Sequence, residues 1–139
     1  MASITFNTED VSFALTSKLS LKTWIKQVIA SYGKKLGAIN YIFCSDEYLL
    51  AMNQQYLQHD EYTDIITFDY SENNVVSGDI FISIERIREN AEERAISFDL
   101  ELRRVMVHGV LHLLGLKDKS EQEAGMMRSA EDQALKGWN

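Results

Sequence analysis

The sequence lacks proline entirely, contains a single cysteine, and has no apolar run long enough to cross a membrane. Because only seven glycines and no prolines mark the turns, the spacing of apolar residues has to locate the helices and strands. Cys44 cannot form a disulfide within the chain, and its apolar surroundings favour a buried thiol. A membrane span needs about 18 consecutive apolar residues, and the N-terminus carries no secretion-signal pattern. These absences predict a cytoplasmic protein without a membrane partner.

Positive charge is also scarce in this chain. Fourteen Lys and Arg residues stand against 21 Asp and Glu residues, which gives a formal net charge of −7. This balance argues against proteins that capture nucleic acid non-specifically through long-range attraction, although a local basic patch would still permit binding. With 139 residues, of which 45% are hydrophobic, the length suits one compact domain. We therefore predict a single domain over 1–139.

Apolar and β-branched spacing predicts an α/β fold with about four strands in a mixed sheet and about five helices. One expected strand begins at residue 4, and three others cover 38–44, 63–69 and 78–84. The last two are expected to pair as neighbours. One surface helix is expected over 85–95. The other expected helices begin at N-caps, which are Ser20, then Ser45 or Asp46, then Asp99, then Ser120 in a capping box with Glu123. The helix after Asp99 is strongly apolar and is predicted to be central.

Two of the three histidines lie on this central helix, in the stretch 107–118 with the sequence VHGVLHLLGLKD. His108 and His112 are one helical turn apart, so their imidazoles can converge on one metal ion. Gly115 allows the chain to leave the helix abruptly, and Asp118 can then fold back as a carboxylate ligand. Three protein ligands leave one coordination position of a zinc ion open for water, whose pKa falls toward about 7. The pattern predicts a catalytic zinc site formed by His108, His112 and Asp118.

Several alternatives to this site remain open at the level of sequence. Histidines on an apolar helix are often only hydrogen-bonded in the core. Glu121 and Glu123 could replace Asp118 as the third ligand. The spacing is close to that of metzincin proteases, but Gly109 occupies the place of their glutamate base, which disfavours proteolysis. Zinc deaminases are excluded because Cys44 is alone.

Further motifs resemble one known family over most of the chain. They are Met52-Asn53, Tyr56, TDIITF at 63–68, GDIFIS at 78–83 and HGVLHLLG at 108–115. In their order and spacing they resemble the YbeY endoribonucleases, which are metal-dependent rRNA maturation factors. The resemblance implies an α/β domain with its metal at the helix that carries the two histidines.

The resemblance also implies a function. It is that of a zinc-dependent hydrolase, a single-strand endoribonuclease acting in 16S rRNA 3′-end maturation and late ribosome quality control. The metal-bound water would attack the RNA phosphodiester, and rRNA and the small ribosomal subunit or its proteins would be partners. The alternative is a non-catalytic ribosome-assembly factor with a structural metal. A metallohydrolase with a substrate other than RNA is a third possibility.

Two positions depart from the family pattern. The family motif usually ends in a third histidine, where this chain has Asp118. An anionic ligand lowers the net positive charge of the centre, so we predict a less acidic bound water and activity favoured by alkaline pH. The family also tends to carry an arginine where this chain has Leu57, so phosphate-charge stabilisation must come from elsewhere.

Candidates for that missing charge can be named, although no general base can be assigned. Arg104 is one turn before His108 and could reach a phosphate, unless it is simply an exposed, solvated arginine. His59 could act as a cation or proton donor near the substrate. Lys117 and Lys119 flank Asp118 and could supply a positive edge. The two acidic residues at strand starts, Asp64 and Asp79, are predicted to have structural roles rather than to bind the metal.

Overall fold

A computed structural model describes residues 2–57 and 62–138 of the chain. Within these residues the fold is α/β, with four strands in one mixed sheet and five helices, as predicted. The elements in chain order are β1 (Ser3–Thr8), α1 (Lys18–Ser31), β2 (Lys35–Cys44), α2 (Asp46–Tyr56), β3 (Ile65–Asp69), β4 (Val75–Ser83), α3 (Ile84–Arg94), α4 (Phe98–Leu113) and α5 (Glu121–Lys136).

The sheet has the strand order β1-β2-β4-β3. β1 is parallel to β2, and β2 is parallel to β4. β3 runs antiparallel to β4 and pairs with it from Ile65–Ile82 to Asp69–Gly78, so the two segments predicted to be neighbours are confirmed as such. None of the helices in the described part of the chain is long and apolar enough to cross a membrane.

Alternating side chains divide the core between the two faces of the sheet. On one face, Ile39, Tyr41, Ile80 and Ile82 belong to a large core that includes the buried residues of α1 and α4. On the other face, a smaller core under α2 contains Leu49, together with apolar residues of β2, β3 and β4. One face of the sheet is therefore a wide apolar surface against which α4 packs.

Helix α4 is the central helix, as the apolar pattern predicted. Nine of its residues are buried, from Glu101 to Leu113. The buried hydroxyl of Tyr41 donates a hydrogen bond to the carbonyl of Met106 at 2.9 Å, which ties the helix to the middle of the sheet. Since both ends of this bond are buried, it adds direction to the packing of α4.

Two predicted helix starts are wrong by two or three residues. α1 begins at Lys18, after Ser17 in a left-handed conformation, and Ser20 lies inside the first turn. Apolar spacing missed this turn because Leu19 is exposed and takes no part in the apolar face. α4 is capped by Ser97, whose hydroxyl accepts from the Leu100 amide, while Asp99 lies in the first turn, where its charge favours the helix dipole.

Other predicted caps agree with the structure. The Ser45 hydroxyl accepts from the Tyr48 amide and caps α2, which settles the choice between Ser45 and Asp46. Ser120 and Glu123 form the predicted capping box of α5. This last cap fixes where α5 begins relative to the loop that follows α4.

Candidate metal centre

The two histidines lie side by side on the last turns of α4. The ring centroids of His108 and His112 are 4.6 Å apart, and both side chains are partly exposed on the face that points away from the sheet. Between them, Gly109 faces the sheet. A Cβ at this position would come 2.9 Å from Ile80 and 3.0 Å from Ile65, so only glycine lets α4 approach this closely.

Asp118 returns to the histidines through the turn at Gly115. Gly115 has a φ of 103° and follows the end of α4, with the Leu116 amide donating to the Leu111 carbonyl at 3.0 Å. The Asp118 Oδ2 atom then lies 3.3 Å from His108 Nε2 and 3.5 Å from His112 Nε2.

These separations fit a tetrahedral metal ion. Zinc bonds of about 2.0–2.1 Å in tetrahedral geometry place neighbouring ligand atoms about 3.3 Å apart. One ligand atom from each of His108, His112 and Asp118 lies within 4.8 Å of the others. Among the described residues this is the group that could hold a metal, and it contains neither Glu121 nor Glu123. The carboxylate of Glu123 is used instead to accept from the Ser120 amide in the capping box.

The far side of each imidazole also has the partner that a metal-binding histidine needs. His108 Nδ1 lies 2.6 Å from Glu131 Oε2, and His112 Nδ1 lies 3.0 Å from the carbonyl oxygen of Leu116. An Nδ1–H that donates to an oxygen leaves the lone pair on Nε2, the atom that faces Asp118. Both rings are therefore oriented for ligation before any ion binds.

Glu131 of α5 is the buried centre of a charge network. Its other oxygen, Oε1, accepts from Arg104 at 3.0 Å, and Arg104 also donates to Asp132 at 2.9 Å. Burial alone would raise the pKa of Glu131, but hydrogen bonds from His108 and Arg104 lower it below its usual value. Burial would lower the pKa of His108, and the bond to Glu131 outweighs this effect and raises it. Glu131 is thus a carboxylate held ionised against His108.

A cavity of about 450 Å³ opens over the metal group. It is bounded by β3, by the outer face of α4, by α5 and by the end of α3. The residues that line it are Thr63, Asp64, Ile65, Arg94, Glu101, Arg104, Val105, His108, His112, Asp118, Arg128 and Glu131. Most of these side chains are polar or charged, so the cavity suits a charged, hydrated ligand.

The structure places the remaining predicted residues as follows. Arg104 does line the cavity beside His108, but its interpretation as an exposed, solvated arginine is wrong, because only 17% of its side chain is exposed and two carboxylates hold it. Lys117 and Lys119 are exposed beside Asp118. His59 lies outside the described residues. Leu57 is exposed at the end of α2.

Asp64 directly precedes β3, but the prediction that Asp79 starts a strand is wrong, because β4 begins at Val75 and Asp79 lies in its middle. Both positions are consistent with structural roles. Asp79 accepts a hydrogen bond from the Asn40 side chain at 2.9 Å across the neighbouring strand. Asp64 lines the cavity but is not part of the metal group, and its carbonyl accepts from the Ser83 amide. Burial raises the pKa of the Asp64 carboxyl, against the lowering effect of His108.

Sequence reasoning missed Glu131, Glu101 and Arg128. Glu131 occupies the same helix face as the buried Met127, and Glu101 occupies the same face of α4 as the buried Val105. A glutamate on an apolar face is the signal that could have found both, since a buried carboxylate needs a partner. No such signal marks Arg128, because an exposed helical arginine is ordinary.

Comparisons with known proteins identify the family of this chain. The family model described as endoribonuclease YbeY matches residues 3–139. Endoribonuclease YbeY of Bacteroides thetaiotaomicron is 54% identical over 132 residues, covering 95% of this chain and 96% of that protein. The protein of the same name from Flavobacterium psychrophilum is 53% identical over 133 residues, covering 96% and 94%.

A solved structure is also similar to this chain. The solution structure of TM1509 from Thermotoga maritima matches with a TM-score of 0.66 and 28% identity, and the match covers 98% of this chain and 91% of that one. The chain therefore belongs to the endoribonuclease YbeY family, which confirms both the predicted family and the predicted class of enzyme, a hydrolytic nuclease.

Proposed function

We propose that the protein is a zinc-dependent endoribonuclease that cuts single-stranded RNA in 16S rRNA 3′-end maturation and late ribosome quality control. Family membership supports the RNA-cleaving part of this proposal. The single observation that carries the metal dependence is the set of ligand separations, 3.3 and 3.5 Å from Asp118 to the two histidines. The partners would be rRNA and the small ribosomal subunit or its proteins, in the cytoplasm.

The ligand set determines what the ion could contribute. Zinc, when bound with an open position, supplies Lewis acidity at the phosphoryl group and a water acidic enough to provide hydroxide near neutral pH. His108, His112 and Asp118 would hold the ion. Because Asp118 is anionic, it reduces the net positive charge of the centre, and we expect activity to be favoured at alkaline pH.

The neighbouring residues act on the ligands. Glu131 and the Leu116 carbonyl fix the ring orientation of His108 and His112 through their Nδ1 atoms. Arg104 holds the Glu131 carboxylate in place from the side opposite His108. Through these contacts α5 supports the ligands on α4, although it contributes no ligand itself.

The decisive experiment is His112→Ala, measured for both metal and cleavage. We expect the variant to bind less than one zinc per chain by elemental analysis and to cut single-stranded RNA more than about 100-fold more slowly, because the ion loses a ligand. Lys136→Gln is the control, since Lys136 is exposed at the end of α5 and does not line the cavity. It should retain both zinc and cleavage.

Other outcomes would favour the alternatives. If zinc-loaded wild-type protein leaves single-stranded RNA and rRNA precursors intact while His112→Ala melts at a lower temperature, the metal is structural and the protein is a ribosome-assembly factor. Two departures from the family pattern favour this second candidate: Leu57, which puts no charge where the family tends to carry an arginine, and Asp118, which replaces its usual third histidine. Cleavage of model phosphodiesters but not of RNA would indicate a different substrate.

A further inference from the structure

Three arginines line the metal cavity, and two of them are already paired. Arg94 Nη1 donates to both carboxylate oxygens of Glu101, at 2.9 and 3.0 Å. Arg104 is held by two acidic side chains of α5. Arg128 is exposed, and no carboxylate within residues 2–57 and 62–138 forms an ion pair with it. Its guanidinium charge is therefore available to a ligand.

Arg128 is also fixed close to the metal group by its place on α5. It lies three residues before Glu131, so the two side chains share one face of the helix. Glu131 is within 2.6 Å of His108. Three residues of helix span about 4.5 Å, and Arg128 is the one nearer to the loop that carries Asp118. A ligand bound at His108, His112 and Asp118 would thus lie within reach of the Arg128 guanidinium.

The charges around the cavity indicate what that ligand is. Four carboxylates line it, those of Asp64, Glu101, Asp118 and Glu131, so an anion would be repelled unless a cation faced it. The paired arginines are occupied by glutamates. A planar guanidinium without a carboxylate matches the two non-bridging oxygens of a phosphate, which it can bind through two parallel hydrogen bonds.

We infer that Arg128 is the phosphate-binding residue of this cavity, contacting the non-bridging oxygens of the RNA phosphate that lies against the metal group. The inference rests on the proposed function, because it names the residue that would hold the substrate of that same site. It also supplies, from α5, the positive charge that Leu57 does not provide from α2.

The first test is cleavage of single-stranded RNA by zinc-loaded variants. Arg128→Gln should lower kcat/KM roughly 10- to 100-fold, because a charge-assisted bond to phosphate is lost. Arg128→Lys should recover part of the loss, since lysine keeps the charge but not the planar fork. Zinc content and melting temperature should match the wild type, because Arg128 is exposed and outside the ligand group. Lys136→Gln, which removes one charge from the same helix outside the cavity, should cleave like the wild type.

The second test measures binding without cleavage. A short single-stranded DNA carries the same phosphates but is not a substrate for an endoribonuclease. When the affinity for this DNA is measured over a range of salt concentrations, the slope of log affinity against log salt concentration should be shallower for Arg128→Gln. The difference should correspond to the loss of about one phosphate contact. Lys136→Gln should leave the slope unchanged.

The two tests separate failure of the inference from failure of the proposed function. Equal DNA affinity and equal salt slope for wild type and Arg128→Gln would overturn the phosphate contact, whatever happens to RNA cleavage. Wild-type protein that binds no DNA would overturn it as well. Wild-type protein that cuts no RNA, but whose DNA affinity falls in Arg128→Gln, would overturn the cleavage proposal and support the contact.

Discussion

Two glutamate–arginine pairs line the metal cavity, and although burial raises the pKa of both glutamates, their net pKa shifts are opposite. Glu131 accepts from Arg104 and from His108, and its pKa is lowered. Glu101 is fully buried and, among the described residues, accepts only from Arg94, which is itself 45% exposed; burial raises the pKa of Glu101 despite that arginine. The number of donor residues, rather than the depth of burial, decides the direction in which each pKa moves.

This difference in pKa shift indicates different roles for the two glutamate–arginine pairs. Glu131 stays ionised and lies against His108, a residue that could hold a metal, so it can orient that ring. Glu101 joins α4 to the end of α3 through Arg94 and, within the described part of the chain, has no hydrogen bond to the group that could hold a metal. One pair supports the site, and the other supports the packing of the helices around it.

The largest effect should come from removing the charge of Glu131. Glu131→Gln should weaken zinc binding roughly 10- to 100-fold, because a carboxylate that orients a ligating histidine is replaced by a neutral amide. Competition of each variant with a zinc chelator measures the change. Glu101→Gln is the matched control and should bind zinc as the wild type does. Equal weakening in both variants would remove the distinction between the pairs.

The next effect, on folding stability rather than on zinc affinity, is expected from Arg104→Gln. This change leaves the buried Glu131 with one donor instead of two and should lower the free energy of unfolding by about 1–3 kcal/mol. Chemical denaturation of the metal-free protein measures it. Arg88→Gln removes an exposed arginine of α3 that rests on Phe98, and it should cost less. If both substitutions cost the same, Arg104 adds nothing through Glu131.

The smallest effect concerns the pH dependence contributed by Glu101. Folding raises the pKa of the Glu101 carboxyl above its unfolded value of 4.5. Below pH 4.5 this shift does not change the free energy of unfolding, and as pH rises through the folded pKa it lowers that free energy. Glu101→Gln lacks this cost, so it should gain stability relative to the wild type as pH rises from about 4 to about 7. Urea unfolding of both proteins at several pH values measures the gain. A difference that stays constant with pH would mean that Arg94 compensates the burial in full.

The group of three residues that could hold a metal was predictable because its geometry is local in sequence. His108 and His112 are placed by the period of one helix, and Asp118 follows a glycine that ends that helix. The same holds for the capping box of α5. The paired strands β3 and β4 were predictable because both are rich in β-branched and aromatic residues and a short polar turn separates them.

What could not be predicted depends on how distant elements pack. Glu131 reaches His108 only because α5 lies against α4, and nothing in the local pattern of either helix fixes that contact. The same packing turned Arg104 from an exposed side chain into one held by two carboxylates. The errors at Ser20 and Asp99 are of another kind, since neighbouring polar residues compete for one cap and the backbone decides between them.

Gly109 shows why a spacing of residues similar to that of metzincins does not give this protein their chemistry. The position that holds the proteolytic glutamate in that motif here points at Ile80 and Ile65 in the sheet. A glutamate introduced there would enter the apolar layer beneath the helix and push the helix outward, instead of meeting a peptide substrate. A single Gly109→Glu substitution would therefore not convert this protein into a peptidase, because α4 packs too closely on the sheet to leave room for the glutamate side chain.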